Sequence, residues 1–215
     1  MLSDTHGNVP ALTAVFNWAQ DSLQSGGIDA AVFLGDGIAD LGRASNAAGF
    51  CCEWKIIRGN NDFGASALVP ETDIFDFGGY RFFLCHGHHH SIYSGYYALI
   101  RAACKTKANV VLFGHAHTPF YSWQGLDTPP LWGDYRGFRP PISQGNDNDT
   151  PCPRLVDCKD NCRENNILLV NPGSVGRPRC KAGASFAVIE CALGKPLKTE
   201  FWGIGQYGKI HELKQ

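Results

Sequence analysis

The sequence has 215 residues, a length at which one domain with a single core is the usual architecture. Apolar residues make up 44% of the chain and charged residues 18%, a globular composition that excludes a fibrous or wholly disordered protein. The formal net charge is −1, which excludes an overall positive field that would recruit nucleic acid or anionic lipid. Any phosphate binding must therefore be local.

Membrane and secretion signals are not expected in this sequence. No apolar run approaches the roughly 20 residues that span a bilayer, and the first residues lack the pattern of a signal peptide. The nine cysteines are an odd number, and most lie in apolar runs, as expected for free thiols in a reducing compartment. We therefore expect a cytoplasmic protein without membrane contact and without a disulfide framework.

The predicted elements alternate between helix and strand in the first part of the chain. An amphipathic helix is expected from Pro10, where a first-turn proline is tolerated, to a stop at Gly26-Gly27. Two further helices are expected over 40–48 and 91–105. Gly78-Gly79 predicts a tight hairpin between two strands. Apolar runs of strand length predict strands at 30–34, 54–57, 74–77, 81–85, 110–113, 167–170, 186–191 and 197–202.

The order of these elements indicates an α/β protein. The first half alternates strand and helix, as in a mainly parallel sheet, while the second half runs from strand to strand. We expect the two halves to pack as stacked sheets with helices outside. Residues 125–166 are broken by proline, glycine and asparagine and indicate a loop insertion, either disordered or acting as a lid. One domain over 1–215 that carries this insertion is therefore expected.

Histidines are concentrated in three places along the chain. Seven of the eight are His6, the group His86 with 88–90, and the pair His115 and His117. Each group follows an apolar run, so these side chains are expected at the carboxyl ends of strands, where ligand crevices form in α/β sheets. Carboxylates and an amide occupy similar positions: Asp4, Asp36 and Asn60.

This combination of side chains predicts a metal centre. Carboxylate and imidazole ligands together suit manganese, iron, nickel or zinc better than calcium. The candidates are too many for one ion, but two ions that share a bridging carboxylate would use them all. Such ions lie about 3.5 to 4 Å apart, lower the pKa of a shared water and stabilise both the attacking and the leaving oxygen at phosphorus. The candidate ligands are Asp4, His6, Asp36, Asn60, His86, His115 and His117.

Five ordered blocks resemble the calcineurin-like metallophosphoesterase superfamily, and within it the small bacterial and archaeal phosphodiesterases of the YfcE type. The resemblance covers about residues 1–122 and 166–202 and includes a late motif at 171–174. The five blocks are Asp4-Thr5-His6, Gly35-Asp36, Gly59-Asn60-Asn61-Asp62, Cys85-His86-Gly87-His88 and Gly114-His115-Ala116-His117.

The resemblance implies a fold, a ligand set and a reaction. The fold is a four-layer α-β-β-α sandwich of two stacked mixed sheets. One ion would be held by Asp4, His6 and His117, the other by Asn60, His86 and His115, with Asp36 bridging them. The reaction would be phosphodiester hydrolysis by in-line attack of a metal-bridging hydroxide. Manganese is the first ion expected, with nickel, iron and zinc as alternatives.

The catalytic and substrate-binding residues depart partly from the family pattern. Much of the superfamily has histidine where this chain has Asn61, and an amide donates a hydrogen bond but delivers no proton near neutral pH. We assign catalytic roles to Asn61 and His88. Arg58 and Arg177 are candidates for binding phosphate oxygens, and Asn8 either orients substrate or caps the first helix.

Two further features lie outside the resemblance. Only Met1 and Leu2 precede Ser3 where the family has a full apolar strand, so we expect the natural start to lie upstream. The insertion carries cysteines, expected as unligated thiols, with a structural zinc site as the alternative. These are Cys152, Cys158 and Cys162.

The leading hypothesis is a metal-dependent phosphodiesterase acting on a small phosphoester. A phosphomonoesterase of the same fold is the first alternative. The second is a non-catalytic interaction scaffold, as in the retromer subunit built on this fold, although that subunit has lost metal ligands that are present here. Self-association is left open.

Overall fold

The computed structural model describes residues 1–24, 27–64, 68–125 and 166–213. Most of the predicted insertion lies outside these residues, and so do Cys152, Cys158 and Cys162. None of the helices in the described part of the chain is long and apolar enough to cross a membrane.

The elements follow the predicted order closely. The helices and strands of the described residues are α1 Val9–Gln24, β1 Ala30–Phe33, α2 Ile38–Ala48, β2 Glu53–Ile56, β3 Thr72–Phe77, β4 Tyr80–Cys85, α3 Tyr97–Thr106, β5 Val110–Phe113, β6 Pro119–Gly125, β7 Asn166–Pro172, β8 Ala184–Glu190, β9 Lys198–Ile204 and β10 Ile210–Glu212. All eight predicted strands are present, and Gly78-Gly79 joins β3 to β4 with φ angles of 57° and 85°. Strands β6 and β10 were not predicted.

The third helix is shorter than the sequence predicts. Residues His88–His90 and Ile92–Ser94 form separate 3-10 turns, and α3 begins only at Tyr97. Ser91 and Gly95 have φ angles of 47° and 118°, which a continuous right-handed helix does not allow. The prediction of one helix over 91–105 is therefore wrong in its first turn and a half.

Two sheets stack face to face. In the described residues one sheet has the strand order β3-β4-β5-β7-β6, with β4, β5 and β7 parallel. The other face consists of the parallel pair β1-β2 and the antiparallel set β8-β9-β10. Leu2 joins these two groups, since it pairs with Phe33 of β1 while Met1 accepts a hydrogen bond from the Ala187 N–H of β8.

The expected division of the chain between the sheets is wrong. Strands β8–β10 come from the end of the chain but return to the layer that contains β1 and β2, and the middle of the chain forms the other sheet. Chain order alone does not determine which layer β8–β10 join. They pair beside Met1 and Leu2, and that strand edge exists only once the amino-terminal residues have paired with β1.

Three buried clusters confirm the four-layer α-β-β-α sandwich. Between the sheets lie residues such as Leu34, Leu84 and Leu112. Helix α3 packs on the five-stranded sheet through Leu99, and α1 packs on the other sheet through Phe16. The core therefore fixes the strand ends, and the loops that follow these ends carry the predicted metal ligands.

Candidate metal centre

The loops that carry the predicted ligands converge at one edge of the two sheets. They follow Leu2, β1, β2, β4 and β5, whose parallel carboxyl ends meet there. Most of the predicted ligands have a left-handed backbone, which is uncommon for residues other than glycine and occurs where surrounding structure holds a functional site in place. The residues with positive φ are Asp4 (56°), His6 (44°), Asp36 (62°), His115 (66°) and His117 (59°).

Two clusters of ligand atoms form within these loops. In the first, the distances are 3.7 Å from His6 Nε2 to Asp4 Oδ1, 3.1 Å from His117 Nε2 to Asp4 Oδ1 and 3.2 Å between the two Nε2 atoms. In the second, His86 Nε2 lies 3.8 Å from Asp4 Oδ1 and 3.5 Å from Asp36 Oδ2. Asp4 is common to both clusters.

These separations match the spacing of atoms around a transition-metal ion. Ligand bonds of about 2.0 to 2.2 Å place neighbouring ligand atoms roughly 3 to 3.6 Å apart in tetrahedral or octahedral geometry. The first cluster spans 3.1 to 3.7 Å. The donor set of two imidazoles and a carboxylate therefore fits a borderline divalent ion such as manganese, iron or zinc.

Backbone carbonyls orient two of the imidazoles. His86 Nδ1 lies 2.6 Å from the Leu34 carbonyl oxygen, and His117 Nδ1 lies 2.6 Å from the Arg177 carbonyl oxygen. A carbonyl only accepts, so each Nδ1 carries the proton and donates it. The Nε2 lone pairs are then free for an ion, which is the usual arrangement behind histidine ligands.

Three buried polar atoms at this edge have no hydrogen-bond partner among the described residues. They are Asp4 Oδ1, His86 Nε2 and Asn60 Oδ1. An unpaired buried polar group is costly, and native proteins rarely keep one without a ligand or water. All three were predicted as ligand atoms, so the residues present fit a bound metal.

The electrostatics keep the two carboxylates ionised. Burial opposes ionisation of Asp4, but its close contacts with the imidazoles of His117 and His6 outweigh burial and hold the pKa of this carboxyl well below its usual range. Burial also opposes ionisation of Asp36, yet its contacts with His86 lower the pKa of Asp36 to about 2. Both groups therefore carry full negative charge at neutral pH.

The imidazoles respond to this negative field according to their position. Burial and the neighbouring His86 lower the pKa of His115 to about 4, so His115 is neutral at pH 7. Burial also disfavours a charge on His86, but Asp36 and Asp4 outweigh it and raise the pKa of His86. A field that favours a proton on His86 favours a divalent cation beside it even more.

The remaining predicted ligands lie in the same cleft but outside the two clusters. Asn60 and His115 line it, and the His115 ring lies 5.1 Å from the His86 ring. The resemblance assigned the bridging position to Asp36, whose Oδ2 lies 3.5 Å from His86 Nε2 and 3.7 Å from His6 Nε2, and this assignment stays a prediction. Asn61 donates its side-chain N–H to Asp36 Oδ2 at 2.5 Å and its backbone N–H to Asp36 Oδ1 at 2.8 Å.

A second carboxylate fixes the loop that carries Asp36. Asp62 accepts backbone N–H groups from Asp36, Gly37, Ile38 and Gly59 at 2.7 to 2.9 Å. A Cβ at Gly59 would lie 2.2 Å from Asp36 Oδ1, so only glycine permits this close approach. Asp62 thus holds the loops after β1 and β2 together.

Replacing Asp62 by alanine is expected to lower kcat/KM for phosphoester hydrolysis about 10- to 100-fold and to destabilise the fold by about 3 kcal/mol. Four backbone donors lose their acceptor, and the Asp36 carboxylate loses its position. Steady-state kinetics and thermal denaturation measure the two effects. Asp76→Asn, on the exposed edge strand β3, is the matched control. An unchanged kcat/KM in Asp62→Ala would show that Asp62 is not needed to position Asp36.

The end of β7 and the residues after it brace the amino-terminal ligand loop and the ligand loop after β5. Ser174 Oγ donates to the Asp4 carbonyl at 2.7 Å, and Asn171 Nδ2 donates to the Gly114 carbonyl at 2.7 Å. Ser3 Oγ donates to Asp4 Oδ2 at 2.6 Å. The sequence motif at 171–174 was noticed only through the family resemblance, and its bracing contacts were not predicted.

The cleft over the ligands has a volume of about 340 Å³. Arg177 and Arg179 are among the residues that line it. Arg179 was missed in the sequence, and its guanidinium donates to the Tyr93 hydroxyl at 2.9 Å, which in turn donates to the His115 carbonyl at 2.8 Å. Arg179 and Tyr93 belong to no recognisable sequence motif, and only the fold brings them to the site.

Three predicted site residues lie elsewhere. Asn8 Oδ1 accepts the Ala11 N–H at 3.2 Å, which is the helix-capping alternative. Arg58 forms an ion pair with Glu71 at 2.9 Å. His88 is not among the residues that line the cleft, and its ring lies 5.4 Å from the His86 ring. The substrate and catalytic roles of these residues stay predictions.

Solved structures share this fold over nearly the whole chain. A predicted phosphoesterase from Streptococcus pneumoniae has a TM-score of 0.60 at 20% identity, covering 99% of this chain and 95% of that chain. Vps29 from Chaetomium thermophilum has a TM-score of 0.60 at 16% identity, covering 99% and 94%. Zn²⁺-bound Vps29 from Entamoeba histolytica has a TM-score of 0.55 at 16% identity, covering 92% and 87%. At these identities the likeness shows the fold alone.

The sequence itself identifies the family. No curated protein matches the chain. The family model of the calcineurin-like phosphoesterase superfamily domain matches residues 1–132, more than half of the chain and the part that carries all the predicted ligands. The chain therefore belongs to the calcineurin-like phosphoesterase superfamily.

Proposed function

We propose that this protein is a divalent-metal-dependent phosphohydrolase whose substrates are small phosphodiesters. The observation that carries the proposal is the pair of buried Asp and His clusters, with Asp4 Oδ1 and His86 Nε2 unpartnered among the described residues. A structural role for so many buried ionisable groups would leave each of them paired. A metal centre accounts for both the clustering and the unpartnered atoms.

Two divalent ions are proposed to occupy the centre, with manganese as the first ion to test. Such ions supply a nucleophilic water at neutral pH and neutralise charge on the phosphoryl oxygens. The proposed ligands are those predicted from the sequence, namely Asp4, His6, Asp36, Asn60, His86, His115 and His117.

The residues around the cleft support phosphate as the group that is bound. Arg177 and Arg179 line the cleft together with several of the proposed ligands, and a guanidinium pairs with two phosphate oxygens at once. The cleft volume of about 340 Å³ is at the lower end for small-molecule sites, which favours a compact phosphoester over a polymer.

Asn61 supports a diester in preference to an alkyl monoester. Its amide lies in the cleft and can donate a hydrogen bond to a phosphoryl oxygen, but it cannot protonate a leaving alkoxide. We therefore propose efficient hydrolysis where the leaving group is stable as an anion. The cysteine usage supports action in the cytoplasm.

The test is hydrolysis of nitrophenyl phosphate and bis-nitrophenyl phosphate by the whole protein, stripped of metal and reloaded with Mn²⁺, Ni²⁺, Fe²⁺ or Zn²⁺ in turn. We expect metal-dependent turnover with the diester preferred. A preference for the monoester would favour the phosphomonoesterase alternative. A folded, metal-loaded protein that is inert with every ion would favour the interaction scaffold.

An Asn61→His variant is expected to accelerate hydrolysis of an alkyl phosphoester by about 10-fold or more, because a general acid contributes roughly 10²- to 10⁴-fold when well placed. The rate on bis-nitrophenyl phosphate should change little, since nitrophenolate needs no proton. The measurement is kcat/KM against leaving-group pKa for both proteins, and Asn61→Gln is the control for side-chain size. An unchanged slope in Asn61→His would contradict the role given to this amide.

A further inference from the structure

We propose that Glu71, His88 and His89 form an additional site for a zinc-class divalent ion at the rim of the metal centre. None of these residues is among the seven proposed ligands. The inference rests on its own ligand geometry and does not require that the protein be a hydrolase.

The three side chains present ligand atoms to one another. One donor atom from each lies within 4.8 Å of the other two. His89 Nε2 is 3.4 Å from Glu71 Oε2, and the rings of His88 and His89 are 3.9 Å apart. Since an ion with bonds of about 2.0 to 2.2 Å spans ligand atoms up to roughly 4 Å apart, rotamer adjustments alone would close the site.

Neighbouring structure holds each ligand in this arrangement. The Arg58 guanidinium pairs with Glu71 Oε1 at 2.9 Å, so the other carboxylate oxygen faces His89. The two imidazoles lie on one 3-10 turn, closed by the hydrogen bond from the His90 N–H to the Gly87 carbonyl at 3.0 Å. Successive residues of this short turn are thereby held side by side.

His88 has a ring nitrogen that no described residue contacts by a hydrogen bond, and the other two side chains are open to solvent. Its Nδ1 atom is buried and has no hydrogen-bond partner among the described residues. Glu71 and His89 are 42% and 63% exposed, so an ion can exchange with solvent here.

The donor set selects the class of ion. Two imidazoles and one carboxylate are the three protein ligands of many zinc sites, in which a fourth position stays open. Magnesium and calcium prefer oxygen alone, and manganese binds such sites more weakly than zinc. We therefore expect zinc to bind in the presence of excess Mg²⁺ or Mn²⁺. The His88 ring lies 6.2 Å from the His115 ring, so this ion would add positive charge beside the cleft.

The test counts zinc in the whole protein after equilibrium dialysis at a buffered free Zn²⁺ concentration with excess Mg²⁺, using elemental analysis. Wild type is compared with His89→Gln and Glu71→Gln. The control is His211→Gln, which removes another exposed histidine on β10. We expect wild type and His211→Gln to hold one zinc more per chain than the other two variants.

The comparison separates this site from the main centre, because ions held elsewhere cancel in the difference. Cobalt provides a second readout: the spectrum of Co²⁺-loaded wild type minus that of His89→Gln should show the visible bands of nitrogen-ligated cobalt. Equal zinc content in wild type and His89→Gln would overturn the proposal. An equal loss in His89→Gln and His211→Gln would also overturn it, since it would indicate adventitious binding to surface histidines.

Discussion

An Asp36→Ala variant is expected to hydrolyse bis-nitrophenyl phosphate about 10²- to 10³-fold more slowly than wild type, measured as kcat/KM with saturating Mn²⁺. Asp36 Oδ2 lies 3.5 Å from His86 Nε2 and 3.7 Å from His6 Nε2, so its charge faces a ligand of each cluster. Losing it removes one ligand and lowers the negative charge that retains the cations.

The variant Asp36→Asn keeps the shape of the side chain, so it distinguishes the loss of charge from a folding defect. It is expected to lose nearly as much activity, because an amide lacks the charge. Asp76→Asn is the matched control, since its carboxylate lies on the exposed strand β3 and pairs only with Arg81 in the described structure. Activity that survives in Asp36→Ala would show that the centre does not use this carboxylate.

Adding Mn²⁺ or Zn²⁺ to chelator-treated protein is expected to raise Tm by about 8 to 16 °C for each ion bound at 1,000 times its Kd. Binding at that ratio stabilises the folded state by about 4 kcal/mol, and each kcal/mol raises Tm by about 2 to 4 °C in a domain of this size. The ions would relieve a cluster in which two buried carboxylates and their imidazoles crowd within 3.1 to 3.8 Å.

Differential scanning calorimetry with and without the metal measures this shift. Asp36→Asn should lose most of it, whereas His211→Gln should keep it, because His211 is exposed on β10. Identical Tm values for chelated and metal-loaded wild type would contradict a buried metal centre. Identical Tm values would not decide whether the proposed site at Glu71, His88 and His89 exists, because that site is tested separately by measuring the zinc content of the protein.

The fold could be predicted largely from local patterns. The buried strands, such as β1 and β5, have continuous apolar runs that signal a strand whatever they pair with. Strand β6 was missed because its sequence mixes proline, serine and glutamine, and its conformation comes from pairing with β7 along its full length. The position of β8–β10 in the layer that contains β1 and β2 likewise depends on pairing with the amino-terminal residues, and the composition of these strands does not predict it.

The candidate ligands could be predicted because each follows an apolar strand in an order typical of the family. Their supports could not. The support from Asp62 was not predicted, because its four backbone contacts depend on how two loops meet in space. Tyr93 and Arg179 are 86 positions apart and meet only in the folded protein. Long-range hydrogen bonds of this kind leave no local signal.

The brace between Ser174 and Asp4 joins residues 170 positions apart, and the Arg177 carbonyl orients His117 across another 60. During synthesis on the ribosome, the loop of Asp4 and His6 emerges long before these partners exist. Contacts of such high sequence separation form late in folding. Nascent chains that stop before residue 171 should therefore capture no ion at Asp4, and metal loading is expected only after residues 171–177 have been synthesised.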